Sequence, residues 1–140
     1  MSSWNQDLIE DMRAHDGHPS NGPFVGRDVL ILTTTGAKSG ETRETPLVYS
    51  RSGDDIVIVA SMGGAPRNPA WYHNLVAHSL VTVEVDGKRF EAIARVVGPD
   101  ERRRLYDRHA QTNPSFLEYE AKTSRVIPVI VLTRSAAAAA

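Results

Sequence analysis

Six short runs rich in β-branched and aliphatic residues, at 29–35, 45–51, 56–61, 81–85, 89–97 and 126–132, constrain this chain most. A parallel crossover needs about a dozen residues or more, usually including a helix. Ser52-Gly53-Asp54 and Asp86-Gly87 leave room only for hairpin turns. Repeated βαβ units are therefore excluded, and a small, mostly antiparallel barrel of about six strands with short helices outside it is expected. Pro128 interrupts the last run and belongs at an edge or a bulge, because it has no N–H to give a ladder. The helices are expected at 4–15, 69–78, 100–111 and 115–121. The second of these has Asn68 as its N-cap and Pro69 at its first position.

At 140 residues the chain makes one domain with a real core. A net charge of -1 argues against a nucleic-acid binder, so no nucleic-acid partner is expected. With no cysteine, disulfides, thiolate catalysis and cysteine-based metal sites are excluded, and a reducing, cytoplasmic setting is expected. No apolar run approaches the roughly 20 residues that span a bilayer. The organisation reads as an N-terminal helix and loop (1–24), a barrel (25–134) and a disordered alanine-rich tail (135–140). Trp4, Leu8, Ile9 and Met12 share one helical face, which suits packing on the barrel, on a second copy or on a membrane surface.

Three stretches can carry chemistry. Thr33 to Arg43 is a Gly-flanked loop between strands that carries Lys38 and Arg43. It lacks the Gly-Lys-Ser/Thr triplet of a Walker loop. Its cations and N–H groups suit phosphate or carboxylate oxygens, and the same composition describes a solvated turn. Ala60 to Leu75 places Gly63 and Gly64 directly after a strand, where backbone can approach a ligand closely, and then opens a helix bearing Trp71 and Asn74. His73 has no second ligand at i, i+4 spacing, and no metal site is expected. Phe116 and Tyr119, three apart on a short helix, either roof a planar ligand or anchor that helix to the barrel. No Gly-x-Ser-x-Gly elbow is present, and the five histidines are scattered, so a hydrolase finds no support.

Read in order, these stretches resemble the deazaflavin-dependent nitroreductase family. The residues that carry the likeness are Leu32 to Gly40, Arg43, Thr45-Pro46-Leu47, Val59 to Pro69, Trp71 to Leu75, Tyr119 to Arg125 and Ile127-Pro128-Val129. The resemblance implies a split β-barrel and the reduced deazaflavin coenzyme F-420 as hydride donor to a small quinone, enone or nitroaromatic acceptor. It implies coenzyme contacts from Lys38, Arg43, Thr45, Pro46, Leu47, Val59, Ala60, Ser61, Met62, Gly63, Gly64, Trp71 and Asn74. It also implies a substrate pocket at Phe116 and Tyr119, with Ser61 and Tyr119 as catalytic hydroxyls. A homodimer and a peripheral membrane contact through the N-terminal helix are compatible with it.

Two positions depart from the family pattern. Ala37 and Met62 stand where some members carry a basic residue, which predicts a weaker clamp on the coenzyme's anionic tail. The readings that compete with this one are an FMN-dependent split-barrel reductase or oxidase, and a non-catalytic carrier of the coenzyme or of a tetrapyrrole.

Overall fold

The structure is a computed structural model that describes residues 3–135; at Ser3 and Trp4 only the backbone is described. The N-terminal Met1 and Ser2, the Trp4 side chain and the alanine tail after Ser135 lie outside the described residues. Helix α1 (Ser3–Ala14) precedes strands β1 (Val29–Thr35), β2 (Thr42–Val48), β3 (Ser50–Ser52) and β4 (Asp55–Val59). A single 3-10 turn (Met62–Gly64) leads into α2 (Ala70–Ala77), β5 (Leu80–Val85) and β6 (Lys88–Val96). Helices α3 (Pro99–Thr112) and α4 (Ser115–Ala121) follow, and β7 (Val129–Arg134) closes the chain.

The strands form one seven-stranded sheet, ordered β2-β1-β5-β6-β7-β4-β3 with antiparallel pairing throughout. The run at 45–51 is thus two strands rather than one. Its break falls at Tyr49, whose N–H still donates to the carbonyl of Asp28 (3.0 Å), the residue just before β1. Strands β2 and β3 are the two edges of the sheet, and the single residue between them obliges the sheet to curl until its edges approach. The result is the expected split barrel, with one strand more than the sequence reading.

Alternation along each strand builds two layers of core. Leu30, Leu32, Ile56, Ile58, Val83, Ala92, Ile130 and Leu132 belong to one cluster, which includes Tyr49 and Trp71. The intervening Val57, Val59, Val129 and Val131 face a second cluster under α3 and α4. Because both faces of β4 and β7 are covered, their sequences read as continuous apolar runs. Pro128 lies just before β7, where its carbonyl accepts from the Ala60 N–H at 3.0 Å.

Helix α1 packs Leu8, Ile9 and Met12 on Val29 and Ile31. Arg13 fastens the helix further, donating to Glu84 and Glu44 on β5 and β2. That part of the apolar face is therefore used by the sheet, and none of these three side chains is left for a bilayer. No helix among the described residues is long and apolar enough to cross a membrane.

One buried polar side chain makes the fold sensitive to acid. His109 on α3 is fully buried, with Nδ1 2.8 Å from Ser50 Oγ and the ring edge-on to Phe116 at 4.5 Å between centroids. Its Nε2 has no hydrogen-bond partner among the described residues. Burial, reinforced by the nearby Arg27 charge, pushes its pKa from 6.5 down to about 4. The unfolded chain therefore binds the proton first. His109 contributes its full stability above pH 6.5 and loses it as the pH falls toward 4. Between pH 7 and pH 5 this amounts to about 2 kcal/mol. Thermal melts at the two pH values should show that drop, and His109→Leu should flatten it; an equal drop in the variant contradicts the assignment.

Candidate active site

Two loops and one edge strand build the site. The first loop leaves β1 and closes on itself, Gly36 N–H donating to the Glu41 carbonyl at 2.7 Å and Gly40 N–H to the Gly36 carbonyl at 3.0 Å. Asn74 on α2 ties it down. Its Oδ1 accepts from the Ala37 N–H (3.0 Å), and its Nδ2 donates to Thr34 Oγ1 (3.2 Å). The Asn74 amide is therefore a strut, and what reaches a ligand there is the loop it positions.

The second loop, 60–69, is braced by Arg125, which follows α4. Its guanidinium donates to the carbonyls of Ala60 (3.1 Å), Ser61 (2.8 Å) and Ala65 (2.9 and 3.1 Å), and to Asn68 Oδ1 (2.5 Å). The Asn68 side chain is thus engaged by Arg125. The N-cap of α2 is Pro69, without a side-chain cap, rather than Asn68. Met62, Gly63 and Gly64 all have positive φ. For Met62 that conformation carries a steric cost which the surrounding bracing holds in place.

A cavity of about 1050 Å³ runs along the first loop, lined by Lys38, Ser39, Arg43, Thr45, Met62, Trp71, His73 and Asn74. Beside it lies a smaller pocket of about 240 Å³, lined by Phe24, Arg27, Pro46, Leu47, Val48, Val59, Ser61, Met62, Gly63, Trp71, Phe116 and Tyr119 among others. Met62 and Trp71 line both, and so does β2, whose Thr45 faces the first and Pro46 the second. The two make one groove with a charged, open end and an apolar, aromatic end. Proline is tolerated in β2 because that strand is an edge.

Lys38 forms no ion pair among the described residues. Arg43 is paired only with its neighbour Glu41, at 3.0 Å and well exposed. Such a pair is worth about 0–1 kcal/mol, so both cations are available to an anion. In the apolar end, the Ser61 and Tyr119 hydroxyls have no hydrogen-bond partner among the described residues, and the rings of Phe116 and Tyr119 meet edge-on at 5.1 Å.

Thirteen of the fifteen residue positions suggested by the sequence line this groove. Ala60 and Gly64 do not. Ala60 is fully buried in the core and offers only its carbonyl to Arg125. Gly64 is needed for helix contact rather than for a ligand, since a Cβ there would sit 2.8 Å from the Tyr119 carbonyl oxygen. Sequence reading missed Phe24 and Arg27, which lie in a Gly/Pro-rich loop with no periodicity to mark them. It also missed the bracing role of Arg125, an isolated arginine whose partners are backbone carbonyls 60 or more positions away.

Comparison with known proteins identifies the family and the fold. Residues 4–134 match the family model described as F420H(2)-dependent quinone reductase. The chain belongs to that family. An F420H(2)-dependent quinone reductase of Mycobacterium tuberculosis is 47% identical over 136 residues, covering 90% of this chain and 91% of the relative. Among solved structures, an F420-H2 dependent reductase superposes with a TM-score of 0.70 at 36% identity, over 76% of this chain and 94% of its own. A second, described as a domain-swapped dimer, gives 0.72 at 32% identity over 94% of this chain and 99% of its own.

The two glycines of the second loop separate backbone strain from crowding. Gly63 (φ +65) has open space where a Cβ would stand, whereas Gly64 (φ +83) does not. Gly63→Ala should cost about 1 kcal/mol of stability, the ordinary penalty for a left-handed residue. Gly64→Ala should cost at least about 2 kcal/mol more, because α4 must move. Denaturant unfolding distinguishes them, and equal losses contradict the packing role of Gly64.

Proposed function

We propose that this protein binds the reduced deazaflavin coenzyme F-420 along the groove and reduces a quinone held at its apolar end. The observation that carries the reading is the junction at Trp71 and Met62, where a large cavity bearing Lys38 and Arg43 meets a compact aromatic pocket. The coenzyme has a flat tricyclic ring, a phosphodiester and an anionic oligoglutamate tail, and the groove offers a complementary feature to each. Lys38 and Arg43 suit the phosphate and carboxylates as charge-assisted donors. Pro46, Leu47 and Trp71 suit the face and edge of the ring, with Val59 and Gly63 closing the pocket near them.

When bound, the reduced coenzyme supplies a hydride, and a quinone needs one hydride and one proton to become a hydroquinone. The protein holds the acceptor in a pocket walled by Leu47, Trp71 and Phe116, which limits water and orients the acceptor. The Ser61 hydroxyl donates a hydrogen bond to the acceptor oxygen on which negative charge gathers. The Tyr119 hydroxyl, partly exposed and therefore able to recover a proton from solvent, delivers the proton.

The volume of the charged cavity, about 1050 Å³, favours this coenzyme with its long anionic tail over FMN, whose single phosphate needs far less room. Titration of either cofactor, followed by tryptophan fluorescence, tests the assignment. Lys38→Ala and Arg43→Ala should each weaken binding of the oxidised coenzyme by about 1.5 kcal/mol or more. The double variant should approach the affinity of a tail-less deazaflavin. Unchanged affinity in the double variant, or tighter binding of FMN by the wild-type protein, contradicts it.

A further inference from the structure

Arg27 stands in the wall of the apolar pocket, on the loop between α1 and β1. Its position is fixed. Nη2 donates to Asn113 Oδ1 at 2.5 Å, and the guanidinium lies 5.7 Å from the centre of the Phe24 ring. Asn113 is itself buried, and its Nδ2 donates to the His109 carbonyl (3.3 Å) and to Thr112 Oγ1 (3.2 Å). The amide is thereby oriented with its oxygen toward Arg27.

What Arg27 lacks is a carboxylate. Arg13, Arg43, Arg89, Arg95, Arg102 and Arg103 each have an acidic partner within 4 Å. Arg27 has none among the described residues. The same holds for Arg51, Arg67, Arg104, Arg108, Arg125 and Arg134, but of these seven only Arg27 is in the wall of the apolar pocket. A single neutral amide holds the guanidinium without neutralising it, so most of its donors and all of its charge remain for whatever enters the pocket. A fixed, partly buried cation without a counter-ion is an unfavourable arrangement that an anionic ligand relieves. The remaining lining is apolar except for hydroxyls such as those of Ser61 and Tyr119, which makes the charge the main electrostatic feature an acceptor meets.

We propose that Arg27 is a specificity-determining residue that selects quinone acceptors bearing an anionic substituent over their uncharged parents. The inference rests on the assignment of the apolar pocket to the acceptor. It concerns which acceptors are favoured rather than whether any is reduced.

The test compares 1,4-naphthoquinone with 1,4-naphthoquinone-2-sulfonate as acceptors, using protein saturated with the reduced coenzyme. The readout is the ratio of the two kcat/KM values, sulfonate over parent. Comparing that ratio between protein variants cancels the difference in intrinsic reactivity of the two quinones. Arg27→Met should lower the ratio about ten-fold, and Arg27→Lys should restore part of it, since lysine keeps the charge but not the fork. In the wild-type protein the ratio should also fall as salt is raised, a reading that needs no variant to fold. A ratio within two-fold of wild type in Arg27→Met, or a wild-type ratio indifferent to salt, overturns the inference while leaving quinone reduction intact. Absence of turnover with both quinones, despite coenzyme binding, overturns the acceptor assignment and this inference together.

Discussion

Tyr49 alone separates β2 from β3, and those strands lie on opposite edges of the sheet. The chain can make that step only if the sheet has curled nearly closed. The two edges remain unpaired, and β2 keeps one side free of a strand partner. The candidate groove lies along that unpaired edge. Glu44 and Thr45 form part of the wall of the charged cavity, and Pro46, Leu47 and Val48 part of the wall of the apolar one. A closed barrel would hide these residues behind an eighth strand, whereas a flat sheet would leave no groove.

Two polar side chains then convert loops into a shaped surface. Asn74 joins α2 to β1 and to the first loop, and Arg125 joins the segment after α4 to the second. Each satisfies backbone groups that loop conformation leaves without partners, which is why irregular backbone can be held at the rim of a core. Both have the residue type of a ligand contact, and both serve as internal supports. The cations that line the groove, Lys38, Arg43 and Arg27, are free of ion pairs or only weakly paired among the described residues, and they are the ones available to a ligand.

Much of this was legible in the sequence where one physical rule dominates. Asp86-Gly87 specified a hairpin, and the close spacing of β-branched runs excluded crossovers. The resemblance of residues 32–40, 59–69 and 71–75 to a known family pointed to most of the groove. What could not be read is where several rules compete. The break at Tyr49 falls inside an unbroken strand-like run, because the bend comes from tertiary closure and leaves no turn residue behind. Gly63 and Gly64 look equivalent in sequence, yet one is open and the other is pressed against α4. Arg27 sits in a loop whose Gly and Pro residues announce only irregular backbone.

The central claim is that hydride passes from reduced coenzyme F-420 to a quinone within this groove. A stopped-flow experiment under nitrogen tests it most directly, mixing protein, reduced coenzyme and 1,4-naphthoquinone and following both the coenzyme's absorbance and the hydroquinone formed. The account predicts protein-dependent oxidation with one hydroquinone formed per coenzyme consumed, slowed in a Ser61→Ala, Tyr119→Phe double variant. No protein-dependent oxidation with the coenzyme demonstrably bound, or an equal rate in the double variant, would contradict it.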